Sequence, residues 1–141
     1  MSALSDYLEG QLRAHVFRTA SFTKPAVLGI ALATAAPTDA STGATISEVP
    51  NSNAYARVAR NPLDANWTAA SATDGLTDNA AAIDFPTATG SWGTITHVVI
   101  LDGTTHGAGN SLFHGALSAS KTIGINDIFS FPAGNLDVIF A

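Results

Sequence analysis

The feature that most constrains this chain is a succession of short apolar segments in its second half, each ended by turn residues. Strand-like segments run over residues 83–85, 92–101, 111–117, 121–125, 128–131 and 136–140. Between them lie Pro86, the pair Asn126-Asp127 and residues 132–135, all of types that turns favour. Short strands separated by regular turn signals indicate an antiparallel sandwich or barrel.

The segment 92–101 gives the strongest strand pattern in the chain. Strict alternation puts Trp92, Thr94, Thr96, Val98 and Ile100 on one face, and Ile95, His97, Val99 and Leu101 on the other. Both faces carry large apolar side chains. A strand of this kind is buried on both sides or lies at an interface.

The N-terminal residues follow a different period. Apolar side chains recur every four residues at Leu4, Leu8, Leu12 and Val16, which predicts an amphipathic helix. Ser2 or Ser5 is the expected N-cap, and the helix is expected to end near Phe17. Residues 26–33 then alternate large and small side chains, which predicts a strand whose small face lies against another backbone or another subunit.

These patterns predict one domain over residues 1–141. Its fold is mainly β: an antiparallel β-sandwich of about seven or eight strands, with one N-terminal amphipathic helix. We expect residues 1–18 to form a helical arm and residues 35–53 an extended loop, both serving as contact arms that the sandwich core does not require. Residues 63–82 are expected to be irregular, and residues 103–109 to form a flexible loop.

Composition narrows the possible functions. The net charge is −5, and the six basic residues form no run, so binding to nucleic acid is not expected. Charged residues make up 12 %, against about 25 % in an average protein, which is typical of a surface covered by neighbours. No apolar run reaches the roughly 18 residues of a membrane span, and no signal peptide is evident at the N-terminus, so we expect synthesis in a cytoplasm and no membrane partner.

Several residues are of the types found in catalytic or metal sites but lack the sequence spacing of such sites. The histidines His15, His97, His106 and His114 lack any metal-binding motif, although three of them are a conceivable zinc set. Asp102, His106 and Ser111 have the residue types of a catalytic triad but no nucleophile elbow. We therefore interpret these residues as structural.

Three further groups have the same structural interpretation. Gly107-Ala108-Gly109 is too short for a phosphate loop and predicts a mobile loop tip. Asp74 and Asp78 lack the spacing of a calcium-binding EF-hand. Trp67 and Trp92 are a conceivable sugar platform, but we favour packing for both. The sequence thus predicts no catalytic, cofactor-binding or metal-binding residues.

A set of segments between residues 55 and 102 resembles the short proteins of tailed bacteriophages that are labelled tail-fibre proteins. The segments are Tyr55-Ala56-Arg57, Asn66-Trp67, Ile83-Asp84-Phe85-Pro86-Thr87-Ala88-Thr89, Trp92-Gly93-Thr94-Ile95-Thr96-His97 and Leu101-Asp102. The opening helix, the strand over residues 27–34 and the closing segments 112–117 and 129–131 also resemble that family.

The resemblance implies a non-enzymatic structural protein of the virion, made in the cytoplasm of the bacterial host. It implies assembly with itself, with threefold symmetry by analogy with phage components, and with another virion protein, either the major capsid protein or a tail protein. Capsid decoration as a cement protein and a place in the tail or fibre both stay open. A carbohydrate-binding module that recognises the receptor from a tail fibre is the alternative from another class.

Overall fold

The computed structural model describes residues 2–69 and 73–140. In these ranges the chain forms nine strands and one helix. They are β1 Ser2–Leu4, α1 Asp6–Phe17, β2 Gly29–Ala33, β3 Val58–Ala59, β4 Leu76–Asp78, β5 Ile83–Asp84, β6 Gly93–Leu101, β7 Ser111–Ile123, β8 Ser130–Phe131 and β9 Asp137–Ile139. All strand pairs are antiparallel, so the predicted class, mainly β with one N-terminal helix, is confirmed.

Five strands form the main sheet, in the order β1-β7-β6-β2-β3. Two short ladders, β4 with β9 and β5 with β8, complete the strand pairing. One apolar cluster joins the sheet to both ladders: it contains Ile30 and Ile100 from the sheet and Ile83, Phe131 and Val138 from the ladders. The layer opposite the main sheet therefore consists of two short ladders and the segments between them.

The pairing of β6 with β7 contains a large irregularity. Ile95 pairs with Lys121, but His97 pairs with Ala116, so β7 carries three more residues than β6 over this stretch. The irregularity turns the strand, and Ile95 lies fully buried in the main cluster together with Val98. The predicted face of Ile95 was therefore wrong, because simple alternation does not hold across a bulge.

Other element boundaries differ from the prediction. The segments 111–117 and 121–125 belong to one strand, β7. The stretch expected to be irregular, residues 63–82, contains β4, which pairs with β9 at the C-terminal end of the described chain. β1 was not predicted at all; it pairs with β7 through Ala3 and Leu4.

The second face of the main sheet is small and is covered by the chain itself. Ala31, Ala33, Val99 and Leu101 form a separate apolar cluster, and Ile46 packs against it. The Thr34 amide donates to the Ser47 carbonyl (2.9 Å), and the Val49 amide donates to the Leu32 carbonyl (3.0 Å). The small face of β2 thus lies against another part of this chain.

The 35–53 segment is consequently not separate from the core. Val49 is 1 % exposed and belongs to the main cluster, and Ile46 covers the second face. The expectation that the core does not require this segment was wrong for its second half. The physical reason is that an apolar sheet face without cover would stay in contact with water.

The helix begins and ends as predicted. The Ser5 hydroxyl accepts a hydrogen bond from the Leu8 amide (3.2 Å), which makes Ser5 the N-cap. Leu8 is buried, whereas Val16 and Phe17 are 66 % and 81 % exposed. The apolar stripe therefore packs at its beginning and projects from the domain at its end.

Candidate functional site

A buried ion pair lies between the 35–53 segment and the segment that follows it. The Arg57 guanidinium donates to both carboxylate oxygens of Glu48, from Nε (2.8 Å) and from Nη2 (2.7 Å). Side-chain exposure is 0 % for Arg57 and 3 % for Glu48. Such two-pronged geometry is what the planar guanidinium provides and what a lysine cannot. The pair fixes the end of the 35–53 segment next to the core.

The same guanidinium fastens the loop between β6 and β7. Its Nη1 donates to the carbonyl oxygens of Gly103 (3.2 Å) and Ala108 (2.9 Å). At the base of this loop, Asp102 accepts hydrogen bonds from the amide and the side chain of Asn110, both at 2.7 Å. The loop whose tip was predicted to be mobile is therefore hydrogen-bonded at its base and to a buried arginine.

Tyr55 completes the buried network. Its hydroxyl donates to Glu48 Oε1 (3.0 Å) and accepts from the Leu32 amide of the main sheet (3.0 Å). Burial of the hydroxyl, and secondarily the Glu48 carboxylate beside it, raises the pKa of Tyr55 above its usual value of about 10. The residue therefore stays protonated and acts as a hydrogen-bonding link between the sheet and the ion pair.

Two glycines allow the loops to approach closely. A Cβ atom on Gly29 would lie 2.2 Å from the Gly103 carbonyl oxygen, and one on Gly43 would lie 1.9 Å from that of Ala108. The Gly43 amide donates to the Gly109 carbonyl (2.9 Å) at this contact. We call residues 42–45 and 103–109 the clamped loops. A side chain on either glycine would block this close approach.

The four histidines serve separate local contacts. His15 Nδ1 accepts a hydrogen bond from the Phe22 amide (3.2 Å). The Nε2–H of His106 donates to the Val49 carbonyl (2.9 Å), and His114 Nε2 lies 3.0 Å from Asp39 Oδ1. His97 Nδ1 lies 2.8 Å from the Thr96 hydroxyl. Burial and the nearby His114 lower the pKa of His97 below its usual value. Within residues 2–69 and 73–140, no group of three potential metal ligands converges.

The structure does not join Asp102, His106 and Ser111 into a catalytic triad. Asp102 is engaged by Asn110, and His106 is engaged by Val49, as described above. The Ser111 side chain is buried, and its carbonyl accepts a hydrogen bond from the Ser5 hydroxyl at the helix start. Each of the three residues therefore fixes a different junction of the fold.

The remaining candidates also take part in local structure. Asp74 accepts from the Leu76 amide (3.0 Å), and Asp78 accepts from the Thr68 hydroxyl. Trp92 is 3 % exposed and donates to the Asn53 carbonyl (2.9 Å), as the packing interpretation predicted. Trp67 is partly buried against the main cluster, and its indole N–H lies 3.3 Å from the Arg60 carbonyl.

Two structural residues were missed in the sequence. One is Glu48, whose only sign in the sequence is indirect. Tyr55 and Arg57 are two residues apart and both face inward, so a buried arginine there needs a carboxylate partner. The other is Asn79, which is 1 % exposed. Its amide nitrogen donates to the carbonyls of Ala81 and Pro132, and its oxygen accepts from the backbone of Asn135 and Leu136. It joins β4 to the chain that leads into β9.

Most of the large apolar side chains that are exposed in the described ranges lie at three places, which makes the surface the remaining candidate for function. These are Val16 and Phe17 at the helix end, Ile125 and Ile128 on the turn after β7, and Leu63 and Phe140 beside Trp67. A groove of about 760 Å³ lies between β7 and residues 128–138, with Ile128 at its edge. A second recess, of about 640 Å³, is bordered by Leu63, Trp67 and Phe140.

The fold and the use of its polar residues define a small, β-rich structural domain. The one helix in the described part of the chain is too short to cross a membrane. A comparison with protein families matches residues 3–139 to the podophage GP4 fiber I protein gp80 family. Because the match covers nearly the whole chain, the chain belongs to this family. A search of curated proteins finds no match.

Family membership confirms the resemblance to phage tail-fibre proteins. It supports a structural component of a phage particle.

Proposed function

We propose that this chain is a non-enzymatic structural subunit of the fibre of a tailed phage. In this proposal it is made in the host cytoplasm and assembles with further copies of itself and with another virion protein. The observation that carries the proposal is the family match over residues 3–139. The family is named for a fibre protein, which favours the fibre over decoration of the capsid.

The use of the ionisable side chains supports a structural role. Arg57 and Glu48 neutralise each other inside the domain, and Asp102 holds the base of a loop. Arg57, Glu48 and Asp102 fix the segments that they join. Because Arg57 and Glu48 are buried, they add no charge to the surface. Charged residues are depleted at the cores of protein interfaces, so a chain with 12 % charged residues suits an assembly in which much surface is covered.

The position of the chain in the particle is best tested by immunogold electron microscopy of intact virions. Antibody raised against the purified chain is expected to place gold at the tail and its fibres. Gold spread evenly over the head would instead establish capsid decoration and refute the fibre assignment. Prior incubation of the antibody with the purified chain is the control, because it should remove specific labelling.

Quantitative mass spectrometry of purified virions tests the same proposal independently of antibody access. A fibre subunit is expected at few copies relative to the major capsid protein. A copy number close to that of the shell protein would contradict the fibre assignment. Absence of the chain from purified particles would refute a virion role altogether.

A further inference from the structure

We propose that the exposed end of α1 in one copy of this chain docks into the groove between β7 and residues 128–138 of a second copy. The inference rests on the proposed structural role and adds the surface through which the copies meet. We call Arg13, Val16, Phe17 and Arg18 the helix end, and we call the groove with its flanking turn 125–128 the C-terminal groove.

The helix end combines apolar exposure with unpaired positive charge. Phe17 is 81 % exposed and Val16 66 % exposed. Arg13 lies one helical turn before Phe17, so the two side chains are neighbours on the helix surface. Among the residues that the structure describes, neither Arg13 nor Arg18 has a carboxylate within 4.0 Å. A projecting aromatic ring between two free guanidinium groups is a typical anchor for a protein interface.

The C-terminal groove has the complementary character. Its volume of about 760 Å³ lies within the range of sites that hold large side chains or small ligands. Phe113, Phe129 and Phe131 are among its lining residues, and Ile128, at its edge, is 58 % exposed. Gly115 of β7 is also among its lining residues.

The charges near the groove are mainly negative. Asp137 lines it, Asp127 lies on the flanking turn, and Asp84 is bonded to Ser130 on the groove wall. Lys121 is the one cationic side chain among its lining residues. None of these three carboxylates has a basic group within 4.0 Å in the described ranges. Unpaired cations on the helix end therefore meet unpaired carboxylates at the groove, which favours encounter in this orientation.

The surface of the chain is large enough for this mode of contact. A standard interface covers about 800 Å² on each partner. The accessible surface of this chain is 7396 Å², so one copy can give its helix end to one neighbour and its groove to another. Such a contact joins two different surfaces and is heterologous.

The test is sedimentation velocity of the purified full chain over a concentration series. The wild-type chain is expected to associate into multiples of 14.4 kDa. Phe17→Ser is expected to lower the association constant at least about tenfold, because a buried phenylalanine side chain contributes that much or more. Ile128→Ser, at the other side of the contact, should also lower the association constant. Wild-type chain that stays monomeric throughout would overturn the proposal.

A matched control distinguishes this contact from non-specific association through exposed apolar side chains. Leu63→Ser changes a side chain that is 59 % exposed, close to the 58 % of Ile128, on a different surface. It should leave association unchanged. If Leu63→Ser dissociates the assembly and Ile128→Ser does not, the helix end docks elsewhere and the proposal is wrong. Thermal unfolding checks that each variant folds, as expected for substitutions of exposed side chains.

Mixing the two dissociated variants gives the sharpest result. A Phe17→Ser copy still has an intact groove, and an Ile128→Ser copy still has an intact helix end, so an equimolar mixture should form one-to-one dimers. A mixture that stays monomeric would refute the pairing of these two surfaces. Detection of the chain in virions would still support the proposed structural role, so the two failures are distinguishable.

Discussion

Replacing Arg57 with methionine should destabilise the domain more than any change on its surface. The substitution keeps much of the side-chain length but removes all four hydrogen bonds of the guanidinium. Glu48, 3 % exposed in its side chain, then lies buried without its counter-charge. Removal of one partner from a buried ion pair costs about 3–5 kcal/mol. A domain of this size is stable by about 5–15 kcal/mol, so the loss is a large fraction of the total.

The assay is urea unfolding followed by tryptophan fluorescence. Trp92 is a suitable reporter because its ring lies 5.3 Å from that of Tyr55, which bonds directly to Glu48. Arg57→Lys keeps the charge but not the paired geometry, and should lie between the wild type and Arg57→Met. If Arg57→Met unfolds within about 1 kcal/mol of the wild type, the ion pair does not hold these segments together and our reasoning fails.

A double substitution separates the cost of the unpaired charge from the loss of packing. Glu48→Gln combined with Arg57→Met removes both charges, so the double variant should be at least about 1 kcal/mol more stable than the sum of the two single losses predicts. Strictly additive losses would show that the two side chains act independently.

Three further predictions concern the supports of the loops and ladders. Gly43→Ala should lower the free energy of unfolding in urea by about 1–3 kcal/mol, because its Cβ would meet the Ala108 carbonyl. Gly10→Ala, in open space on the helix, should raise it by up to about 1 kcal/mol. Asn79→Ala should cost about 3 kcal/mol, because it leaves the backbone groups between β4 and β9 without partners. Between pH 10 and 11 the stability gap between wild type and Tyr55→Phe should shrink by about 1 kcal/mol, because the raised pKa keeps the hydroxyl protonated in the folded chain while the unfolded chain loses the proton; a gap independent of pH would contradict this.

The local elements were predictable where one short stretch carries its own signal. The helix has its cap at Ser5 and its apolar period, and both predicted the observed bounds. The strands β2, β6 and β7 have enough residues to show period two or continuous apolar character. Their existence followed from the sequence, although the break between residues 117 and 121 was not a break in the structure.

The missed elements depend on partners far away in the chain. β4 lies in the stretch that was expected to be irregular, and it forms because β9, far along the chain, pairs with it. β1 exists because β7 offers it an edge more than a hundred residues later. The burial of Ile95 likewise depends on how many residues β7 contributes opposite it, which the sequence of β6 alone does not contain. Periodicity reports local geometry, and these features are long-range pairings.

The candidate site was less predictable than the fold for the same reason. Glu48 lies in a stretch made mostly of small residues, and nothing in that stretch indicates that its carboxylate is buried. Arg57 was counted among scattered basic residues. Only the closing of the 35–53 segment over the sheet brings the two together, and only then does the arginine reach the carbonyls of the loop between β6 and β7. The burial of a charge is a property of the assembled fold.

The distribution of the remaining cations bears on how copies of the chain meet. Arg57 is paired with Glu48 inside the domain, and Arg60 donates a hydrogen bond to the Ala82 carbonyl. Three of the other four basic residues lie between positions 13 and 24, in a chain whose net charge is −5. Two copies approaching through these cationic regions would repel, whereas a cationic region meets attraction from the acidic remainder of a neighbour. Charge therefore favours contact between unlike surfaces, and a repeated contact of that kind closes into a ring or extends into a filament. Both outcomes suit the proposed fibre subunit, because each copy contacts two neighbours through two different surfaces.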